Sequence, residues 1–204
     1  LKGINNQSDV FNLDSSVKKS IYKYDYGSSS SAWLQWDEKV SVAKGPVPGD
    51  TTDRLYWSGE DYPRLGNSVT ITSSAPYPGA SWRLGVPAPS TTPTVTMSDD
   101  ADDTLTPFDV SYVFTLVTAD GREGPPSNPS TATEMTDGQT ATVDITTPTY
   151  SLQHNLGAGA RKRIYRSNTG SQNTQFQFVG EVTITVTSID DETNSAALGE
   201  VCLL

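Results

Sequence analysis

The sequence predicts an all-β protein made of a small Trp/Pro-rich β module followed by a β-sandwich, and three observations carry this. Sixteen glycines and thirteen prolines punctuate 204 residues of which only 34% are hydrophobic, a balance that favours short strands and many turns over long helices. All four tryptophans fall between Trp33 and Trp82, as expected of a small module that closes around an aromatic cluster. Beyond residue 110, apolar and polar side chains alternate at period two, the spacing of half-buried strands.

Residues 1–31 read as a polar N-terminal arm. The run Gly27-Ser28-Ser29-Ser30-Ser31 offers too little apolar surface to offset its ordering entropy. Val10, Phe11, Leu13, Ile21, Tyr22, Tyr24 and Tyr26 are nevertheless too many apolar groups for a spacer, so the arm is expected to order against a neighbouring protein. Residues 21–26 fit one strand, with the next segment as its partner.

Residues 32–93 form the small module. Its expected strands are Trp33-Leu34-Gln35-Trp36, Val40-Ser41-Val42, Leu55-Tyr56-Trp57 and Val69-Thr70-Ile71, separated by prolines that fix φ and remove amide donors. The Pro-, Ser- and Thr-rich stretch 86–93 reads as a hinge. Residues 94–204 form the sandwich, with strands expected at 112–117, 140–146, 161–166, 176–182 and 184–189. Phe114, Leu116, Val143, Ile145, Ile164, Phe178 and Val186 are expected to meet in its core.

Composition excludes several functions. Fourteen Lys and Arg against twenty-four Asp and Glu give a net charge of -10, which repels a phosphate backbone, so nucleic-acid recognition is not expected. No apolar run approaches the length of a membrane span, and residues 1–6 lack the apolar core of a secretion signal, so membrane insertion is not expected. One cysteine, Cys202, and one histidine, His154, make neither an internal disulfide nor a zinc site, and no cofactor or metal is expected. The acidic run Asp99, Asp100, Asp102, Asp103 lacks the alternating spacing of a calcium loop and reads as solvated. A hydrolase needs a nucleophile, a base and an orienting group. His154 lies in a loop-like stretch with no nucleophile elbow or phosphate loop in the chain, so no catalytic residue is nominated.

Two clusters are left. Trp33, Trp36, Tyr56, Trp57 and Tyr62 would form either the module's core or a platform for sugar rings or a partner protein. Trp33 and Trp36 are three apart and therefore on opposite faces of a straight strand, which exposes at least one. Arg161, Lys162, Arg163 and Arg166 are the basic cluster, and they read as a solvated strand face or a contact for an acidic neighbour.

The stretch Tyr112-Val113-Phe114-Thr115-Leu116-Val117-Thr118-Ala119, with Gly121 and Glu123-Gly124-Pro125-Pro126-Ser127, resembles the sixth strand and following turn of a fibronectin type III domain. In that family the pattern comes near the domain's end, whereas here further strands follow. The resemblance therefore implies either a circularly permuted module or one that is only sandwich-like.

A wider resemblance, from about Ile21 to Glu200, is to structural virion proteins of tailed bacteriophages. Its pieces, in that family's order, are Trp33-Leu34-Gln35-Trp36 with Val40 and Val42; Gly45-Pro46-Val47; Asp53-Arg54-Leu55-Tyr56-Trp57-Ser58-Gly59 with Pro63-Arg64; Trp82-Arg83-Leu84-Gly85-Val86-Pro87-Ala88-Pro89; the 112–127 stretch; Arg163-Ile164-Tyr165-Arg166; Phe176-Gln177-Phe178-Val179; and Ala197-Leu198-Gly199-Glu200. The resemblance implies a non-enzymatic tail component of the hub, nozzle or fibre-attachment region, assembled into the virion in the host bacterial cytoplasm. It would act by packing against copies of itself and other virion tail proteins. The alternative is a carbohydrate- or surface-binding accessory module of a bacterial secreted protein, because a sandwich serves either role.

Overall fold

The structure, a computed structural model, describes residues 18–45, 48–99, 101–146, 152–169 and 174–203. It is all-β, with antiparallel sheets and, among the described residues, one α-helical turn and two short 3-10 turns, and it divides into two compact units, Leu1–Leu84 and Gly85–Leu204. The division precedes the expected hinge. Segment 86–93 belongs to the second unit, where Val86 packs on the core and Pro89 and Pro93 are buried, so these prolines serve as packing groups rather than as a linker.

The first unit opens with a hairpin of β1 (Ser20–Tyr26) and β2 (Ser30–Trp36), paired from Ser20 opposite Trp36 to Tyr26 opposite Ser30. Gly27 turns the chain at φ 59, a left-handed conformation that glycine adopts without a Cβ penalty. The sequence-based arm therefore does not extend to residue 31. The serine run is a turn leading into β2, and Tyr24 is buried with its hydroxyl donating to the Asp53 carbonyl at 2.6 Å. Pairing with β2 satisfies backbone groups that an isolated arm leaves to water. Residues 1–17 of the expected arm lie outside the described residues, as do Val10, Phe11 and Leu13.

A four-stranded antiparallel sheet follows in the order β3 (Ser41–Lys44), β4 (Leu55–Ser58), β5 (Arg64–Gly66), β6 (Trp82–Arg83). Tyr24, Leu34, Trp36, Leu55, Trp57 and Ile71 form the core of this unit. The expected strand at 69–71 is instead a helical turn, α1 (Ser68–Ile71). Asn67 caps it, accepting from the Thr70 amide while the Thr70 hydroxyl takes the Asn67 amide. That capping box outweighs the β-propensity of three β-branched residues, of which only Ile71 is buried.

The second unit is a sandwich. β7 (Thr94–Met97), β11 (Ala141–Asp144) and β14 (Ser188–Asp191) make one sheet in the order β14-β11-β7. β9 (Tyr112–Val117), β12 (Arg161–Thr169) and β13 (Thr174–Thr183) make the other in the order β13-β12-β9, and β8 (Phe108–Val110) pairs with β10 (Thr133–Met135) as a ribbon. Tyr112, Phe114, Leu116 and Ile164 from one sheet meet Ala141 and Val143 from the other, with Ile145 and Ile184 beside them.

Two expected core residues are elsewhere. Phe178 packs with Val113, Tyr165 and Cys202 on the outer face of β13-β12-β9. A register shift sets Ile164 opposite Gly180 but Tyr165 opposite Phe178, so β13 carries an extra residue at Val179 and its alternation changes phase there. Val186 lies in the turn before β14, and Ile184 takes the core position.

Both edges of the second sheet are covered. Beyond β9, the amides of Gly124, Ser127 and Ser130 donate to the carbonyls of Leu116, Phe114 and Tyr112. Beyond β13, Cys202 donates to Phe176 and Phe178 to Glu200.

Candidate functional site

The five sequence-nominated aromatics do not form one platform. Trp36 on β2 and Trp57 on β4 are core groups with ring centroids 5.9 Å apart. Trp33 lies on the opposite face of β2 and is half-buried, as the three-residue spacing requires. Tyr56, between buried Leu55 and Trp57, turns to the other face of β4. Tyr62 meets two guanidiniums over its ring, Arg64 at 4.6 Å and Arg83 at 4.4 Å from the centroid. Tyr56 and Trp57 nevertheless reach one feature together. With Val42, Ala43, Pro63 and Leu84 they line an apolar depression of about 270 Å³ beside β3, an edge strand of its sheet.

A second recess, about 410 Å³, lies where β2 runs out. Trp36, Asp37, Glu38, Glu60 and Lys18 are among the residues that line it. Pro76-Tyr77-Pro78 forms a further wall, in which both prolines follow cis peptide bonds. This wall is held from several sides: the Gln35 amide donates to the Tyr77 carbonyl at 2.9 Å, and Gly79 and Ala80 donate to Ile71 and Thr70 of the helical turn.

The charges around this recess answer one another. Lys18 pairs with Asp37 at 2.8 Å and Lys19 with Glu38 at 3.3 Å, while Glu60 accepts from the Trp57 indole at 2.6 Å and pairs with Arg64 at 2.9 Å. The Trp36 indole N–H is buried and has no acceptor among the described residues. A buried donor left in that state costs about 1 to 3 kcal/mol.

In the second unit the basic cluster splits by strand alternation. Arg161 and Arg163 share the outer face, both bonded to Glu181, and Arg163 also reaches Glu123 and Glu200. Glu123 in turn accepts from Thr115 and Tyr165. The Arg163 bond holds Glu181 below the usual carboxylate range, and burial followed by the Glu123 contact drives the Tyr165 phenol upward.

Lys162 and Arg166 point inward and are fully buried, which corrects the expectation of a solvated basic face. The Lys162 ammonium donates to the carbonyls of Ile145 and Val186, both at 2.7 Å, and burial pulls it down to about 8. The signal for this was present in the sequence. Ile164 sits between Lys162 and Arg166 at period two, so whichever face buries Ile164 buries both cations.

The remaining candidates are structural. His154, half-buried in a short 3-10 turn, bonds the Gly85 carbonyl through Nδ1 at 3.1 Å. Burial, with Glu123 nearby, pushes the Cys202 thiol up to about 11, away from the thiolate a nucleophile needs. Asp102 folds back on Thr104, accepting from its amide and hydroxyl, and Asp100 lies outside the described residues. Among the described residues no cluster of three or more His, Cys, Asp or Glu could hold a metal ion. No family model matches the chain, and no curated protein matches it.

Proposed function

We propose that the protein is a non-enzymatic structural component of a bacteriophage tail, working by packing against copies of itself and other virion proteins. The observation that carries this reading is the apolar depression beside edge strand β3. Leu84 on its rim is 41% exposed, and an edge strand beside an apolar hollow suits a partner that adds a strand and seats side chains.

Two features support the same reading. The pieces that carry the phage-protein resemblance fall on framework strands: Trp33-Leu34-Gln35-Trp36 on β2, Leu55-Tyr56-Trp57 on β4, Arg163-Ile164-Tyr165-Arg166 on β12 and Phe176-Gln177-Phe178-Val179 on β13. The polar clusters of the second unit are spent on holding its own strands together, as in Arg163 with Glu181. We read that unit as a fibronectin type III-like sandwich whose strand order is permuted.

The test has two parts. Mass spectrometry of purified particles from the host lineage should find the chain at a fixed multiple of the portal, with its gene among tail genes. Ala43→Asp, placing a charge in the depression, should leave the fold intact and lower incorporation into particles. Absence from particles, together with a gene neighbourhood of secreted hydrolases, would overturn the proposal.

A further inference from the structure

We infer that a pocket of the second unit, where β8, the end of β12 and the 3-10 turn Ser195–Ala197 come together, binds a guanidinium group carried on an arginine side chain of a partner protein. This goes beyond the packing role and does not rest on it, since a tail subunit and a secreted module would equally use such a site.

At about 490 Å³ the pocket lies within the range of small-ligand sites, about 300 to 1,000 Å³. Phe108 and Asp109 come from β8, Ser167 and Asn168 from β12 and Ser195 from the 3-10 turn, and Asp137 from the turn after β10 completes the lining. Unlike the groups around Arg163, these are not all answered within the chain. Asp137 accepts from the Ser195 hydroxyl at 2.8 Å and the Ser195 amide at 3.1 Å, both through Oδ1, and its Oδ2 takes no hydrogen bond among the described residues. The hydroxyl bond from Ser195 holds Asp137 below the usual carboxylate range, so the group is ionised at neutral pH. Arg166, whose charge reaches Asp137, is committed to Asp191 and closed off from solvent.

A second observation, independent of the cavity, asks for a cation. Asp109 is exposed and stands directly opposite Glu134 in the β8-β10 ribbon, and neither carboxylate has a hydrogen bond or ion pair among the described residues. Like charges so placed on neighbouring strands weaken the pairing until a positive group answers them. The open positions of the pocket are also nearly all acceptors. Asn168 gives its side-chain N–H groups to Gln177 and to the Ser195 carbonyl, which leaves its Oδ1, and the one open donor is the Ser167 hydroxyl, which accepts from the Ser111 amide. The ligand must therefore be positive and rich in donors. Among the described residues no three carboxylate, His or Cys groups come together to hold a metal ion. A guanidinium brings five N–H donors in one plane and no acceptor, and it pairs with carboxylates through two parallel bonds. Its flat face suits the half-buried Phe108 ring, and its weaker hydration than an ammonium lowers the cost of entering a partly closed pocket. A chain of net charge -10 draws a basic partner in the first place.

The experiment is a ¹H–¹⁵N amide titration of the full chain with Nα-acetylarginine methylamide, and in separate arms at the same ionic strength Nα-acetyllysine methylamide, glucose and magnesium chloride. The arginine probe should shift the amides of Asp109, Asp137, Asn168 and Ser195 saturably, and the lysine probe should bind more weakly. Asp109→Asn and Asp137→Asn should each weaken binding of the arginine probe about tenfold. Asp109→Asn, at an exposed strand position, guards against a turn disturbed by losing the Ser195 bonds in Asp137→Asn. No saturable shift, a lysine probe, glucose or magnesium that binds as tightly as the arginine probe, or binding unchanged in Asp109→Asn would overturn the assignment. None of these outcomes bears on whether the chain is found in particles.

Discussion

The guanidinium of Arg166 lies 2.8 Å from the carboxylate of Asp191, and solvent reaches neither side chain. Arg166 stands on β12 and Asp191 on β14, so the pair links the two sheets of the sandwich through its interior. Asp191 also accepts from the Tyr112 hydroxyl at 2.8 Å and the Thr193 amide at 2.9 Å, while Arg166 donates to the Thr193 carbonyl at 2.8 Å. Removing one partner of such a pair strands a buried charge, at about 3 to 5 kcal/mol. Asp191→Ala is therefore expected to cost that much in urea unfolding, and the double change Arg166→Met with Asp191→Leu to cost less than the single one. A single-variant loss under about 1 kcal/mol would mean that water reaches the pair.

Phe114 and Phe178 should differ sharply. Phe114 is fully buried between the sheets, so Phe114→Ala should cost about 3 to 5 kcal/mol. Phe178 is half-buried on the outer face against Tyr165, at a centroid distance of 5.8 Å, and its truncation should cost less than about 2 kcal/mol. Equal losses in denaturant unfolding followed by far-ultraviolet dichroism would mean that the bulge at Val179 is misplaced.

These two phenylalanines mark how far the sequence could be read. Period two identified β9, β11 and β12 and the inward Phe114, Leu116, Val143 and Ile164, because each strand keeps one phase along its length, but charge outweighed period in the reading of Lys162 and Arg166, which go inward with Ile164. It failed on β13, where one inserted residue changes the phase and nothing in Phe176-Gln177-Phe178-Val179-Gly180 announces the insertion. β8 and β10 were missed because three-residue strands are too short to show a period. In the first unit, tryptophan content foretold an aromatic core but not which rings fill it. The recess could not be foreseen at all, since Trp36 meets Tyr77 and Glu60 only after the chain has passed through the sheet and the helical turn.

Lys162 gives the second unit a pH signature. Its ammonium is held at about 8 by burial, against 10.5 for the free side chain. Between those values the unfolded chain binds a proton that the folded chain does not, so stability rises as pH climbs from about 8 toward 10.5 and is lost again as pH falls to 8. Above about 9 the buried Cys202 thiol, pushed up to about 11, opposes this, and above about 10 the buried phenols Tyr112 and Tyr165 do so too, because the unfolded state then loses protons that the folded state keeps. Urea midpoints measured from pH 7 to 9, below the range in which Cys202 titrates in the unfolded chain, should climb in the wild type and flatten in Lys162→Met. The same slope in both proteins would show that another group causes it.

Strand β1 decides where the N-terminal arm ends, and it can be tested in isolated monomer. Tyr24 is 1% exposed, stacks on Tyr26 at 5.3 Å and donates its hydroxyl to Asp53, whose carboxylate takes the Gly27 amide at 2.7 Å. These contacts tie the hairpin to the loop before β4, so the strand is part of the first unit's core rather than a segment awaiting a partner. Amides of residues 20–26 that pair with β2 should accordingly resist hydrogen exchange in dilute protein. Tyr24→Phe keeps the ring and loses one hydrogen bond, for about 1 kcal/mol; Tyr24→Ala also empties a core position, for roughly 3 kcal/mol or more. All four tryptophans lie within Leu1–Leu84, so tryptophan fluorescence follows the unfolding of this unit alone. Deleting residues 1–26 removes β1 and should lower the fluorescence midpoint steeply. Unprotected amides at 20–26, with a midpoint untouched by the deletion, would restore the arm to its full length.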